Sequence, residues 1–410
     1  MVELLAPAGS RSKLNTAFHF GADAVYLGGS EFGLRAYADN FDDEGLKNAI
    51  NYAHSLNKKV YVTANIFASN SDFPPLAEYL KMIEQLGADG VIISDVGVIA
   101  LCKRVAPKLS IHLSTQANTT NGYAVKFWAE QGVNRVVLAR ELSLADIIDI
   151  RDIVGDSVEL EVFVHGAMCI SYSGRCLLSS YLSNRNSNRG ECVQACRWEY
   201  AIAEQGRLNN PLTMSEDGHG TYILNSKDLN MLGYIDKLIE AKIDCFKIEG
   251  RMKSEYYVGS VINAYRRAID GYYASNGKYH LSNELVEELN KTSHRGYTSG
   301  LYFENQNNVC LDTSKPTCEY VFVAEVVGYD SERGAVIVEQ RNRFKEGDTL
   351  QILSNDDNFN KLLDVNEVYN ENGERVPDCK FVQQRLYIKT DIRLNKYDIL
   401  RRSMEVNYEV

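Results

Sequence analysis

The chain has 410 residues, of which 45% are hydrophobic and 24% are charged, and its formal net charge is −11 at pH 7. This length allows about two or three domains with substantial cores, and no apolar run is long enough to span a membrane. The acidic balance disfavours nonspecific coating of nucleic acid, although it leaves room for a local basic patch that binds one folded RNA. Because a strand-like stretch follows the first methionine directly, we expect no targeting segment and a cytoplasmic location.

Short β-rich runs recur along the first part of the chain, and amphipathic helical stretches separate them. The predicted strands are Val2–Ala6, Ala24–Leu27, Lys59–Ala64, Gly90–Ser94, Ser110–Thr115, Arg135–Leu138, Val158–Val164 and Asp244–Ile248. The predicted helices between them include Arg11–Phe20, Asp43–Ser55, Pro75–Leu86, Tyr123–Gln131 and Ala145–Ile150. Eight alternating units in about 250 residues predict a (β/α)8 barrel, with a doubly wound open sheet as the alternative. We expect this catalytic domain to span residues 1–275.

Four of the nine cysteines lie in one stretch between the seventh and eighth predicted strands. They are Cys169, Cys176, Cys192 and Cys196, and their spacing is C-x6-C-x15-C-x3-C. The residues between the second and third cysteines are rich in Ser, Asn, Arg and Gly, which indicates a loop. The sequence therefore predicts an insertion over residues 166–224 that brings four thiols together.

The spacing of these cysteines leaves several interpretations open. Disulfides are disfavoured in a reducing cytosol. A structural zinc site usually has two closely spaced cysteine pairs, whereas only Cys192 and Cys196 have such spacing here. An iron–sulfur cluster tolerates irregular spacing and uses four thiolates, so the spacing favours it. Buried structural cysteines are the remaining alternative, although Arg175, Arg189 and Glu191 make the segment polar for a core.

The rest of the chain changes character twice. Within the insertion, Glu199–Ala203 and Thr221–Leu224 are predicted to pair as a hairpin around Ser215–Gly220. Tyr256–Tyr273 is predicted to be a long helix, and residues 276–316 a polar linker with one short helix near Asn283–Leu289.

A pattern of alternating apolar and polar residues follows the linker. The runs with this pattern are Tyr320–Val327, Ala335–Gln340, Thr349–Leu353 and Arg385–Ile388. They predict a small antiparallel β-barrel over residues 317–410 that serves for docking or for packing.

Polar residues and glycines follow most of the predicted barrel strands. They are Gly28, Gly29, Asn65, Asp95, Gln116, Asn118, Arg140, Glu141, His165, Lys247, Glu249 and Arg251. In barrels of this kind the reactive groups lie where the strands end and their loops begin, so we expect a site there. The candidate catalytic residues are His165, Arg140, Lys247, Glu249, Arg251 and Gln116.

Chemistry distinguishes these candidates from one another. His165 suits a general acid or base, with a buried core histidine as the alternative. Arg140 and Arg251 suit a carboxylate or phosphate ligand, with a salt bridge at the barrel rim as the alternative. Lys247 beside Glu249 could form a Schiff base, but nothing else in the sequence indicates an aldolase. Further basic residues that could contact RNA phosphates are Arg185, Arg189, Arg197, Arg341, Arg343 and Lys345.

Several blocks of the sequence resemble the peptidase U-32 family, and they occur in the family's order. In the first domain they are Leu5–Gly9 (LAPAG), Ala24–Gly28 (AVYLG), Leu113–Gln116 (LSTQ), Glu161–Cys169 (EVFVHGAMC), Gly174–Ser179 (GRCLLS) and Lys247–Lys253 (KIEGRMK). The C-terminal part resembles the family's appended domain at Phe344–Asp348 (FKEGD).

This resemblance implies a chemistry that the residues alone leave open. Better-understood members of the family are oxygen-independent hydroxylases of RNA bases or quinone precursors, and they carry a 4Fe-4S cluster on four cysteines. The resemblance therefore implies that Cys169, Cys176, Cys192 and Cys196 are cluster ligands. By length and layout the chain is most similar to the branch that makes 5-hydroxyuridine at the tRNA wobble position.

The implied partners are the anticodon stem-loop of tRNA, prephenate as the source of the hydroxyl group, and a paralogous family member. The alternatives are a U-32 type peptidase, a hydroxylase of rRNA cytidine and a hydroxylase of a quinone precursor. No membrane partner is expected.

Overall fold

The structure is a computed structural model that describes residues 1–34, 40–198, 225–303, 308 and 316–404. The predicted hairpin of Glu199–Ala203 and Thr221–Leu224, with the Ser215–Gly220 turn, lies outside the described residues. None of the helices in these described ranges combines the length and the apolar character needed to cross a membrane.

The first part of the chain folds as a closed barrel of parallel strands with one short antiparallel addition. In chain order the strands are β1 (Glu3–Pro7), β2 (Ala24–Gly28), β3 (Lys59–Ala64), β4 (Gly90–Ile93), β5 (Ser110–Leu113), β6 (Arg135–Val137), β7 (Glu159–Ala167), β8 (Asp228–Asn230) and β9 (Cys245–Ile248). Strands β1 to β7 pair in sequence order, and β9 closes the barrel by pairing parallel with both β1 and β7. This closure confirms the (β/α)8 prediction and excludes the open sheet.

The added strand lies at the carboxyl end of the barrel. There β8 pairs antiparallel with the last residues of β7, which runs to Ala167, beyond its predicted end. A further short strand, β10 (Tyr297–Thr298), pairs parallel with β8. These two strands therefore extend the sheet outward beside the segment that carries the cysteines.

Helices surround the barrel and begin at polar capping residues. They are α1 (Arg11–His19), α2 (Asp43–Ser55), α3 (Phe73–Gln85), α4 (Val96–Val105), α5 (Gly122–Glu130), α6 (Leu144–Val154), α7 (Leu178–Ser183), α8 (Ile235–Glu240), α9 (Glu255–Ala274) and α10 (Asn283–Asn290). The side chains of Ser10, Asp42, Asp95, Asn121 and Ser143 accept hydrogen bonds from first-turn N–H groups, which fixes where five of these helices start. The predicted helices are confirmed, and α6 continues past its predicted end to the buried Val154.

The C-terminal strands form a curled antiparallel sheet, as predicted for a small antiparallel β-barrel. They are β11 (Tyr320–Asp330), β12 (Ala335–Gln340), β13 (Phe344–Lys345), β14 (Thr349–Leu353), β15 (Leu362–Asp364), β16 (Val368–Tyr369), β17 (Asp378–Cys379), β18 (Arg385–Lys389) and β19 (Ile399–Ser403). Seven of them pair in the order β15-β14-β19-β11-β12-β18-β16, and β13 pairs with β17. Irregularities in β11, after Phe322 and after Val326, bend the strand and help the sheet to curl.

A buried ion pair joins this sheet to the helical layer of the barrel. Arg401 on β19 donates two hydrogen bonds to the carboxylate of Glu288 on α10, at 2.5 and 2.6 Å. Both side chains are completely buried. Leu353 and Ile399 of the sheet also belong to the hydrophobic core of the barrel, so the two parts of the chain share one interior.

Charged side chains fill the amino end of the barrel interior. Arg135 on β6 contacts Glu3 on β1 at 2.6 Å and Glu161 on β7 at 3.3 Å. Glu161 is fully buried and also accepts a hydrogen bond from Lys247 on β9 at 2.6 Å. Tyr61 on β3 donates to Glu3 at 2.9 Å. Residues from five strands therefore share one network of opposite charges, which is necessary because an unpaired charge there would be costly.

We expect Arg135→Met to destabilise the barrel by about 3–5 kcal/mol near neutral pH, because Glu3 and Glu161 would lose a buried partner. Burial alone would raise the pKa of Glu3, but the combined opposite effect of its partners, Arg135 foremost, is larger, so the pKa lies below its ordinary value. The stability contributed by Glu3 is therefore present above its unfolded pKa and is lost as the pH falls through its lower folded pKa. The loss in free energy of unfolding caused by Arg135→Met should accordingly be smaller at acidic pH. Urea unfolding of both proteins at about pH 7 and about pH 4 measures this difference.

Arg343→Met is the matched control, because its ion pair with Asp378 at 2.9 Å is partly exposed to solvent. Exposed pairs contribute little, so this variant should unfold like the parent protein. Equal effects of the two substitutions would contradict a special role for the network.

Candidate functional site

A segment that carries four cysteines crosses the carboxyl end of the barrel. We call residues 168–198 the cysteine segment. Near its start, the backbone N–H and the hydroxyl of Ser173 donate to the carboxylate of Glu141 at 2.8 and 3.0 Å. Further along, Asn188 accepts a hydrogen bond from the backbone N–H of Phe67 at 3.0 Å. Since Glu141 follows β6 and Phe67 follows β3, the segment is fixed to opposite parts of the barrel end.

Glycine permits the closest of these approaches. Gly174 has a φ of +72°, and a Cβ at this position would lie 2.1 Å from the carbonyl oxygen of Gln116. An L side chain would therefore meet both a disfavoured backbone conformation and a backbone atom that cannot move aside easily. Gln116, a candidate catalytic residue, thus supports the cysteine segment through its main chain.

An arginine on the segment completes the attachment. Arg189 donates to both carboxylate oxygens of Asp72, at 2.8 and 3.2 Å, and to the carbonyl of Phe67 at 2.9 Å. This two-pronged contact lowers the pKa of Asp72 well below its usual range. Arg189, which the sequence offered as a phosphate contact, therefore has a structural role in this structure.

The four thiols of the segment lie near one another and are partly open to solvent. Cys169 and Cys192 are exposed, and Cys176 and Cys196 are half-buried. Burial, with smaller contributions from the other three cysteines, raises the pKa of Cys196 to about 11 against the opposing effect of Arg197. Within the described ranges, no group of three or more His, Cys, Asp or Glu side chains is arranged to hold one metal ion. The thiols are thus neighbours without forming a single-ion site.

Arg140 joins the thiols to the barrel end. Its Nη1 donates to the carbonyl of Ala167 at 3.1 Å, and its guanidinium lies 5.2 Å from the ring centre of Phe163. Burial lowers the pKa of Arg140, but Cys169 and Glu249 raise it, and the net value lies above the ordinary one. The structure therefore brings together Arg140, Cys169 and Glu249.

Glu249 and Arg251 occupy the loop after β9. Tyr26 donates to Glu249 Oε2 at 3.3 Å. Arg251 is buried and donates to Asn40 Oδ1 at 2.6 Å. A Cβ on Gly28, the last residue of β2, would lie 2.6 Å from Arg251 Nη2, so the glycine leaves room for the guanidinium in its present position. Arg251 thus lies over β2, away from the position of Arg140 after β6.

His165 faces the helical layer instead of the barrel mouth. Its ring lies among Tyr257, Tyr265 and Tyr297, with ring centres 5.5 to 6.0 Å away. Burial lowers its pKa to about 3, with smaller contributions from Lys253 and His294. This environment favours a neutral, buried imidazole, and it agrees better with a core histidine than with a solvent-exposed general base.

Lys247 lies deeper in the barrel than its place beside Glu249 suggested. Its ammonium group is held by Glu161, and it lies 4.6 Å from the ring centre of Tyr26. A side chain held in this way by a carboxylate is poorly placed to attack a carbonyl, so its contacts in the described residues do not favour a Schiff base.

The remaining strand-end residues have mostly structural contacts. Asp95 caps α4 by accepting from the N–H of Val98 at 3.0 Å. Asn65 accepts from the N–H of Leu34 at 3.3 Å, and Asn118 has a left-handed φ of 53°. These three positions organise the loops and do not approach the cysteines through any described contact.

A small cavity lies where the cysteine segment meets the loops after β2 and β3. Its volume is about 200 Å3, and its wall includes Phe32, Asn40, Ile66, Asp72 and Arg189. Ser173, Asn40 and Asp72 also belong to this end of the barrel, although none of them was among the predicted site residues. The partners of Ser173 and Asn40 are distant in sequence, so no local pattern could have indicated these two residues. Asp72 carried a weak signal, because it lies one residue before the start of α3.

Comparisons with known proteins agree with these features. Residues 9–310 match the family described as peptidase family U32, and residues 318–401 match its C-terminal domain. "tRNA hydroxylation protein P1" of Bacillus subtilis is 40% identical over 98% of this chain and 94% of its own length. "tRNA hydroxylation protein P" of Escherichia coli is 38% identical over 92% of this chain and 90% of its own.

A longer relative has a different named substrate. A 23S rRNA 5-hydroxycytidine synthase of Escherichia coli is 34% identical over 74% of this chain, which covers 45% of that protein. Proteins named for hydroxylation of two kinds of RNA are therefore similar to the barrel that carries the cysteines.

We expect Gly174→Ala to detach the cysteine segment from the barrel, because the new methyl group would collide with the main chain of Gln116. Hydrogen exchange of the amides in residues 168–198 should accelerate at least tenfold while the barrel strands exchange as before. Gly155→Ala is the matched control: its φ is +55°, but nothing lies within 4 Å of the added Cβ. In that control the added methyl group meets no neighbour, so the cost is local backbone strain of about 1–3 kcal/mol at the end of α6. Unchanged exchange in Gly174→Ala would contradict the proposed attachment.

Proposed function

The chain belongs to peptidase family U32, and from this membership and the thiol-bearing end of its barrel we propose that it hydroxylates RNA. The proposed substrate is the wobble uridine of tRNA, the product is 5-hydroxyuridine, and prephenate is the source of the hydroxyl group. The observation that carries the proposal is the near-complete alignment with relatives named as tRNA hydroxylation proteins. Both domains take part in that alignment, so the similarity is not limited to a common barrel.

A 4Fe-4S cluster on Cys169, Cys176, Cys192 and Cys196 is part of this proposal. The donor set suits that group, because all four ligands are thiols from one segment and interact with one another. When bound, such a cluster would supply electron transfer or Lewis-acid chemistry at the barrel end.

Arg140 is the best placed residue to hold a carboxylate beside the thiols. A guanidinium has five N–H donors, so Arg140 can keep its bond to Ala167 and still bind a second acceptor in a two-pronged fork. Its proximity to Cys169 would orient a dicarboxylate such as prephenate towards the same place. Arg251 is the second candidate, since its partner Asn40 forms part of the cavity wall.

The cavity and the position of the thiols agree with a small co-substrate and a large substrate. Pockets for drug-sized ligands measure about 300–1,000 Å3, so a cavity of about 200 Å3 suits a smaller molecule. A nucleobase must leave its stack to reach such a site, and the bases of an anticodon loop are already partly unstacked. Cys169 and Cys192 are exposed, so a large substrate could reach the thiols from solvent.

Three of the described histidines have contacts that do not suit the peptidase alternative. His19 and His54 pair with Asp398 and Asp89, and His165 lies among tyrosines. None of these three histidines therefore forms a Ser–His or Cys–His pair.

Anaerobically purified protein, incubated with prephenate and unmodified tRNA, should produce 5-hydroxyuridine, which mass spectrometry of nucleosides detects. The matched reaction omits prephenate and should give no product. Product in both reactions would contradict prephenate as the donor but not hydroxylation. Hydroxylated cytidine from rRNA, or cleavage of a gelatin substrate without any nucleoside product, would instead establish one of the alternatives.

Iron and acid-labile sulfide should each amount to about four atoms per chain, and Cys192→Ala should lose both together with product formation. Cys318→Ala is the control, since this half-buried cysteine lies outside the cysteine segment. It should retain iron, sulfide and activity. Stoichiometric zinc without sulfide in the parent protein would rule out the cluster.

A further inference from the structure

The cysteine segment exposes aromatic side chains that its own packing does not require. Tyr181 is 89% exposed, Tyr172 is 62% exposed and Trp198 is 43% exposed. Aromatic residues usually bury most of their surface, and neighbouring exposed ones mark interaction sites. Tyr181 lies on α7, which packs against the turn Ala195–Arg197 that precedes Trp198. Two of the exposed rings therefore belong to adjacent elements.

The same segment is basic, whereas the whole chain is acidic. Residues 168–198 contain four arginines and one glutamate, a net charge of +3, in a chain with a net charge of −11. Arg175 and Arg185 are exposed to solvent. A local positive charge in an otherwise acidic protein attracts a polyanion to that place and repels it elsewhere.

Basic residues from other parts of the fold reinforce this charge beside Arg197. The pKa of Lys253 is lowered first by burial; Arg295 and Arg197 lower it further, whereas Asp228 raises it. Lys253 follows β9 and Arg295 precedes β10, so cations from three separate parts of the chain lie near one another. Asp228, with its carboxylate 3.9 Å from Arg295, partly offsets these cations, and Cys318 acts in the same direction with a smaller effect.

We propose that this face binds the unpaired nucleotides of an RNA loop, with Tyr181 and Trp198 stacking on bases and Arg175 and Arg185 contacting phosphates. The proposal rests on the proposed function and assigns to it the surface that receives the RNA. Single-stranded RNA is recognised by exposed aromatic rings interleaved with arginines, because every unstacked base offers a flat face and every linkage a charge. The bases of a paired stem are not available for stacking, so a stem would bind this face through its phosphates alone. Tyrosine, tryptophan and arginine also occur in protein interfaces, so the local net charge of +3 in an acidic chain is what favours a polyanion over a protein partner.

Binding of a fluorescent RNA hairpin with an unpaired loop tests the stacking. Tyr181→Ser should weaken binding by about 5- to 100-fold, because loss of one base–aromatic stack has that effect, and Tyr181→Phe should bind like the parent. Tyr123→Ser is the matched control, since Tyr123 is a tyrosine on α5 with 77% exposure. A fully paired RNA of the same length should not distinguish Tyr181→Ser from the parent protein. Equal binding of the hairpin by Tyr181→Ser and the parent would overturn the proposal.

Salt dependence tests the phosphate contacts independently. Arg175→Gln and Arg185→Gln should each reduce the slope of log binding constant against log salt concentration by about one. Arg104→Gln is the control: Arg104 is exposed in the last turn of α4, at the opposite end of the barrel. A slope unchanged by either substitution in the cysteine segment would exclude these residues as phosphate contacts.

The two proposals fail in different ways. If 5-hydroxyuridine forms but Tyr181→Ser binds and modifies RNA like the parent, the RNA surface is wrong and the function stands. If the hairpin binds through Tyr181 and no hydroxylated nucleoside forms under any condition, the surface stands and the function is wrong. Iron content and circular dichroism of each variant establish that the cluster and the fold are intact.

Discussion

The charged network at the amino end of the barrel is the constraint on which the carboxyl end depends. Glu3, Arg135, Glu161 and Lys247 come from four different strands, and they form a continuous chain of ion pairs in that order. A slip of any strand by one residue would turn its charge out of the network and leave its partner unpaired. The network therefore fixes the register of the strands, and the register fixes where each loop emerges at the other end.

Those loops hold the cysteine segment by polar contacts and one close backbone approach. Glu141 binds Ser173, Asp72 binds Arg189, and Gln116 supports Gly174. A segment attached in this way does not need a hydrophobic core of its own. Its apolar side chains are consequently free to face solvent, as Leu177 and Tyr181 do, and its thiols remain accessible.

Periodicity predicted the fold well because every barrel strand is a short apolar run between helices with clear capping residues. The four cysteines were also visible in the sequence, since their spacing is local information. The direction in which a side chain points near a strand end could not be read from the sequence. The pairing of β7 with β9 is irregular between Phe163 and His165, and His165 consequently lies against α9. The position of Lys247 deep in the barrel was hidden for a related reason, since its partner Glu161 is 86 residues away in the chain.

The ion pair between Arg401 and Glu288 has a consequence for how the molecule can move. A small rotation of the C-terminal sheet would part the two ions before water could reach either of them, which is costly in a low-dielectric interior. Hinge bending between the sheet and the barrel is therefore costly. The described contacts hold the cysteine segment to the barrel end without a fully buried ion pair, so the cost of a displacement there is lower than in the C-terminal sheet.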